Sequence, residues 1–183
     1  MLIVVLLLGP PPRLPRQNAV WSTPLVSFLK LNIDIALDHE NCRMGFGWIV
    51  RDDARIVMSV VMFSIPGLFS VKEVEAIGAR EALSWIKDKG CQRVILESYA
   101  QWATNAIEKD VNKSPFGTVI HEIKLFLQHL PYVKFVFVQR SGNRHAHVLT
   151  RQALCTSEEE SVECFDFIPS FLSDSVCKDI LVD

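Results

Sequence analysis

SVKEVEAIGAREALSWIKDKG, residues 70–90, is where the hydrophobic period of this chain changes. Before it, apolar residues alternate with polar ones; within it they recur every three or four positions, as on one face of a helix. Ser70 stands as an N-cap, Glu73 three residues later completes a capping box, and Gly90 supplies the stop. Glu75 shares a face with Gly78, Ala79, Ala82 and Ile86, so it lies on the small, apolar side that packs against a sheet. A carboxylate there is costly unless it is paired, hydrogen-bonded or bound to a cation. A salt bridge to an arginine at the edge of the core would satisfy it equally well.

Upstream, FLKLNIDIAL (28–37) alternates Leu31, Ile33, Ile35 and Leu37 with Asn32, Asp34 and Ala36, the pattern of a strand with two distinct faces. The polar DHENCR (38–43) reads as a turn, and MGFGWIVRD (44–52) and RIVMSVVMFSI (55–65) as two further strands close enough to pair antiparallel. Downstream, RVILESY (93–99) is a fourth strand and AQWATNAIEKD (100–110) a short helix. SPFGTVIHEIKLFLQHL (114–130) is a longer helix opened by Ser114-Pro115. YVKFVFVQR (132–140) is a fifth strand, and NRHAHVLTRQALC (143–155) a last helix capped by Asn143. This order predicts an α/β fold: a mixed five-stranded sheet, a three-strand meander followed by two parallel strands, flanked by helices. The domain is expected over 26–156, after a flexible Pro-rich segment (1–25) and before an acidic tail without clear period (157–183).

The chain has 183 residues and a formal charge of -2, which argues against a generic DNA-coating protein. The charge is nevertheless segregated. Between Ile123 and Ser157 no acid occurs, while Lys124, Lys134, Arg140, Arg144 and Arg151 are positive; from Glu158 onward acids dominate. Two solvated faces of opposite sign would produce the same pattern. Five scattered cysteines without a CxxC point to a reducing compartment, nuclear or cytoplasmic, and to neither a disulfide frame nor a zinc site. The apolar start MLIVVLLL breaks at Gly9 and is too short to span a bilayer, and no membrane association is expected.

His145 and His147, two apart on a helix, face different ways and cannot chelate one zinc as an i, i+4 pair does. With Arg140 and Arg144 nearby, the start of that helix suits an anion such as phosphate, though ordinary surface histidines fit the pattern too. Asp34, an acid inside a strand, is either solvent-facing or functional.

Taken together, KLNIDIA, GFGWIVRD, FSVKEVEAIGAREALSW, RVILESYAQ and FVQRSGNRHAHVLTR, running in order from about Trp21 to Ala153, resemble the reverse-transcriptase-like ribonuclease H domains abundant in plant genomes, relatives of the retroelement type-1 enzyme. The resemblance implies a ribonuclease H-like fold and hydrolysis of the RNA strand of RNA:DNA hybrids by two Mg2+ (or Mn2+) ions held by four acids. Two such ions clamp the attacking and leaving oxygens of an in-line displacement. Carried over by position, the acids are Asp34 and Glu75, the implied metal ligands, with Tyr99 and His147 where the other two would stand. A phenol, with a pKa of about 10, stays neutral at pH 7 and is a poor Mg2+ ligand; imidazole also suits Mg2+ poorly. Glu97 lies on the same strand face as Tyr99 but roughly 6.6 Å deeper, too far to replace the missing acid.

Catalysis is therefore expected to be impaired. Lys134, Arg140, Asn143, Arg144 and Arg151 are candidates for contacts to an RNA:DNA hybrid or another A-like duplex, and Trp102 for a place beside the groove. Three functions are compatible with these residues: a hybrid-cleaving hydrolase, a non-catalytic nucleic-acid-binding module, and a retroelement-derived protein-interaction domain.

Overall fold

The computed structural model describes residues 21–101, 114–156, 162–165 and 167–181. Its strands are β1 (Leu29–Asp38), β2 (Arg43–Arg51), β3 (Val57–Pro66), β4 (Val94–Ser98), β5 (Val133–Phe137) and β6 (Val162–Phe165). The helices are α1 (Val71–Asp88), α2 (Pro115–His129), α3 (Arg144–Cys155) and α4 (Ser170–Leu181), with a 3-10 turn at Arg140–Asn143 ahead of α3. The strands form one sheet in the order β5-β4-β1-β2-β3-β6. β1, β2 and β3 make the antiparallel meander, and β4 and β5 join β1 in parallel. The helix expected over 100–110, Trp102 included, lies almost wholly outside the described residues.

Helix α1 begins as its capping box dictates. Ser70 Oγ accepts from the backbone N–H of Glu73 at 3.4 Å, and Glu73 Oε2 accepts from the Ser70 N–H at 2.9 Å. Ala79, Ala82, Leu83 and Ile86 of α1 pack with Ile120 and Ile123 of α2 over Leu31, Ile33, Val94 and Leu96. On the opposite face Leu149 and Ala153 of α3 meet Ile49, Val60 and Met62. Each fully buried Leu or Ile contributes roughly 1.5–3 kcal/mol, so both faces of the sheet are real cores.

Two expectations need correction. The sheet has six strands rather than five: Val162–Phe165 pairs antiparallel with β3, Met62 opposite Val162 and Ser59 opposite Phe165. Helix α4 follows, placing Leu172 and Val176 in the core beside Leu149 and Ala153. A stretch read as an acidic tail thus completes the second core. Its strand is too short, and its apolar side chains too few, to leave a period in the sequence.

The segment read as a flexible leader also joins the fold, from Trp21. Trp21 Nε1 donates to Asn32 Oδ1 at 2.9 Å, and its ring lies 3.6 Å from the Arg51 guanidinium. Lys30 Nζ donates to the Ser22 carbonyl at 2.6 Å. Arg51, at the end of β2, is therefore 1% exposed although nothing in its local sequence marks it as buried.

If residues after 156 are structural, Leu172→Ala should cost about 2–5 kcal/mol. Chemical denaturation checks this; a loss below 0.5 kcal/mol, roughly the level of a surface substitution, would show that α4 is not part of the core.

Candidate functional site

Strand β1 is the third of six in the sheet, with helices on both faces, and Asp34 sits near its middle opposite Gly47 of β2. Two glycines let the helices come close enough to bring side chains to it. A Cβ on Gly47 would stand 2.6 Å from Leu149 Cβ and 2.9 Å from the Thr150 backbone nitrogen, so only a bare Cα lets α3 lie this low over β2. A Cβ on Gly78 would stand 2.8 Å from Ile35 Cγ2, which fixes the approach of α1 to β1. A glycine inside a helix costs about 1 kcal/mol; here it seats Glu75, one turn earlier on the same face.

The result is a cavity of about 220 Å³ whose walls include Asp34, Leu37, Val71, Glu75, Tyr99, Arg140, Asn143, His147 and Arg151. Asp34, Glu75 and Tyr99 also share a narrower recess with Ser98 and Ala100. All four positions of the implied acid set, Asp34, Glu75, Tyr99 and His147, thus meet in one cleft. Of the expected nucleic-acid contacts, Arg140, Asn143 and Arg151 line it. Lys134, half-buried on β5 opposite Ile95, and Arg144, exposed on the first turn of α3, do not. His147 and Arg151, four apart on α3, both line the cleft, and Arg144, at the first position of α3, does not although it stands seven residues from Arg151.

Asp34 is not a free ligand. His147 Nδ1 lies 2.9 Å from Asp34 Oδ2, an ion pair when the imidazole is protonated. Burial pushes the Asp34 carboxyl above its ordinary value of 3.8, against the hydrogen bond and charge of His147, the Ile35 backbone and the charge of Arg140, which all pull it down. Asn143 does not cap α3 with its side chain. Its Nδ2 donates to the Ile33 carbonyl at 2.8 Å, and the residue is 2% exposed. It ties the start of α3 to β1 beside Asp34, because a buried amide so close to a strand carbonyl is better used there than on its own helix.

Glu97 cannot stand in for the absent acid. Lys30 Nζ lies 2.9 Å from its Oε1, and Asn32 Nδ2 donates to its Oε2 at 2.8 Å. Both oxygens belong to a buried network that continues through Asn32 Oδ1 to Arg51 Nη2 at 3.0 Å, with His145 Nδ1 3.5 Å from Arg51 Nη1. His145 is therefore part of the scaffold, whereas His147 faces the cleft. Tyr99, at the tip of β4, is 49% exposed, and its ring centroid lies 5.9 Å from that of Phe137 at the end of β5. Sequence reasoning missed Phe137; the signal available was its place at the end of a strand parallel to β4, level with Ser98.

These donors do not fit a two-ion Mg2+ centre. Two carboxylates are present where four are implied, one of them shared with an imidazole, and the third position is a neutral phenol. Among the described residues no group of three or more His, Cys, Asp or Glu side chains is placed to hold a metal ion. Nor, among those residues, is any helix long and apolar enough to cross a membrane.

A domain of this strand order, with a cleft between β1, α1, the tip of β4 and α3, has the ribonuclease H fold. The chain belongs to the family described as Reverse transcriptase-like, which matches residues 32–153. RNase H1 from the halophilic archaeon Halobacterium salinarum NRC-1 is similar over 70% of this chain and 98% of its own, at 17% identity and a TM-score of 0.63. LC11-RNase H1 in complex with an RNA/DNA hybrid is similar over 69% of this chain and 96% of its own, at 16% identity and a TM-score of 0.61. The N-terminal RNase H domain of rv2228c from Mycobacterium tuberculosis is similar over 69% and 93%, at 13% identity and a TM-score of 0.60. Among curated proteins no sequence matches the chain.

The raised Asp34 carboxyl has a consequence for stability. The folded protein holds this proton more tightly than the unfolded chain, so the group's contribution is most favourable below pH 3.8. It falls as pH rises through the folded pKa and stays as a fixed cost above it. Asp34→Asn is therefore expected to raise the melting temperature at pH 7, with the gain shrinking toward pH 3.8. A variant less stable than the parent at pH 7 would contradict this.

Proposed function

We propose that this is a nucleic-acid-binding domain of the retroelement-derived, type-1 ribonuclease H branch common in plants, descended from an RNA:DNA-hybrid ribonuclease and impaired in catalysis. The observation that supports the reading is the cleft itself: Asp34 and Glu75 line it with Tyr99 and His147, which stand where the resemblance implies two further acids, and with Arg140 and Arg151. Hydrolysis of a phosphodiester by the family's route needs hard oxygen ligands that hold Mg2+ (or Mn2+) against substrate phosphate. Asp34 and Glu75 alone supply too few, and the imidazole on Asp34 Oδ2 competes for one of them.

Binding does not share this requirement. Recognition of an A-like duplex rests on phosphates and 2′-hydroxyls, which arginine side chains grip with or without a metal. The neighbour LC11-RNase H1 binds an RNA/DNA hybrid, which makes that duplex the first ligand to try. A reducing nuclear or cytoplasmic setting suits the thiols of Cys42, Cys91, Cys155 and Cys164, which are free in the structure.

The deciding experiment compares hybrid cleavage by the parent chain and by the double variant Tyr99→Asp/His147→Asp in Mg2+ and in Mn2+. The parent should bind hybrid with an affinity that falls steeply with salt and cleave it little or not at all. The double variant should gain metal-dependent cleavage of at least about 100-fold, equivalent to about 2.7 kcal/mol of barrier. Efficient cleavage by the parent would overturn the impairment, and no binding at low salt would overturn the reading as a whole.

A further inference from the structure

We infer that the cleft takes one unpaired nucleotide of a single strand, with its base on the Tyr99–Phe137 pair and its phosphate on Arg140 and Arg151, and without a metal ion. This deepens the reading of the domain as a nucleic-acid binder and rests on it.

The first argument is electrostatic. A cleft of four carboxylates repels a phosphate until cations neutralise it. Here Tyr99 and His147 each remove one negative charge, leaving the two acids Asp34 and Glu75 against the guanidinium groups of Arg140 and Arg151 on the same walls. Asp34 is further engaged by His147 at 2.9 Å. The charges of the acids and the arginines balance before any ion binds, so a phosphate can approach the arginines without a metal bridge. Arg140 is exposed at the head of the 3-10 turn, and Arg151 is exposed two turns into α3. No acid lies in the first turn of α3 and no side chain caps it, so the positive end of the helix dipole adds to the same attraction.

The second argument concerns the aromatic pair. Tyr99 borders the cavity and is half exposed, with Phe137 behind it at a centroid distance of 5.9 Å and an interplanar angle of 37°. The ring is braced rather than loose. The backbone around it is clasped too: Val138 N–H donates to the Ser98 carbonyl at 2.9 Å, and Ala100 N–H to Ser98 Oγ at 3.2 Å. Such a ring offers a flat face to a base, and stacking of this kind tolerates any base because each has a π-face. In a duplex those faces are covered by neighbouring bases. An unpaired nucleotide, in a single strand or at a frayed end, is the class that presents both a free face and an adjacent phosphate to this cleft.

The test uses the full chain in EDTA with ten-nucleotide single strands, RNA and DNA, each carrying one 2-aminopurine, and a blunt RNA:DNA hybrid carrying the same base internally. Binding of the single strands should quench 2-aminopurine fluorescence. Tyr99→Phe should preserve both quench and affinity. Tyr99→Ala should weaken binding roughly 5- to 150-fold, the range of one lost stacking contact, with thermal unfolding compared to confirm that each variant is folded. Arg140→Ala/Arg151→Ala should weaken binding and flatten its salt dependence. Hybrid binding without single-strand binding, or Tyr99→Ala bound as tightly as the parent, would overturn this inference and leave the broader reading intact. Absence of binding to every probe at low salt would overturn both.

Discussion

The contact between Asp34 and His147 is the constraint on which the rest of this site depends. It exists because α3 lies low on the sheet, where Gly47 has no Cβ to hold Leu149 away. It is fixed in register by Asn143, whose amide reaches the Ile33 carbonyl one residue from Asp34. With α3 so placed, the residue one turn after Asn143 must meet Asp34, and its chemistry decides what the cleft can do. A carboxylate there would oppose Asp34 unless a cation lay between them. An imidazole joins it directly, and the pair closes without an ion.

The framework behind the cleft is itself polar. Lys30, Asn32, Glu97 and Arg51 form a buried chain of ion pair and hydrogen bonds beneath the Trp21 ring. A buried charge pair is weak evidence for stability, since desolvation offsets much of its attraction, yet removing one partner is strongly destabilising. Glu97 is held in that chain and not released toward the cleft. The network thereby separates two roles that sit two residues apart: Glu97 joins β4 to β1, and Tyr99, just past the end of β4, lines the cleft.

Much of this was legible in the sequence, for identifiable reasons. Strands β1 to β3 and helix α1 carry strong periods, and the Ser70–Glu73 box announces its helix from local residues alone. The convergence of Asp34, Glu75, Tyr99 and His147 was legible only through resemblance, because spacing does not say which strand neighbours which. What escaped the reading depends on tertiary contact. Val162–Phe165 is a four-residue strand that exists because β3 offers an open edge. Trp21 belongs to the domain because Arg51 and Asn32 await it, and Asn143 leaves its expected cap because a strand carbonyl lies nearer. Arg144 and Arg151 look equivalent in sequence, seven apart on one helix, and only the folded chain shows that Arg151 lines the cleft and Arg144 does not.

The ribonuclease H fold of this chain brings Asp34, Glu75, Tyr99 and His147 into one cleft, and these donors do not suit two metal ions. On the proposed reading, a phenol and an imidazole in place of two carboxylates would remove both metal ligands and repulsion toward phosphate, so impaired metal chemistry and nucleic-acid binding would have one physical origin. The most direct measurement is the affinity for oligonucleotide in EDTA against that in Mg2+ at matched ionic strength. Equal dissociation constants, within about twofold (roughly 0.4 kcal/mol), are predicted. A tenfold tightening by Mg2+ that disappears in Asp34→Asn or Glu75→Gln would contradict the account.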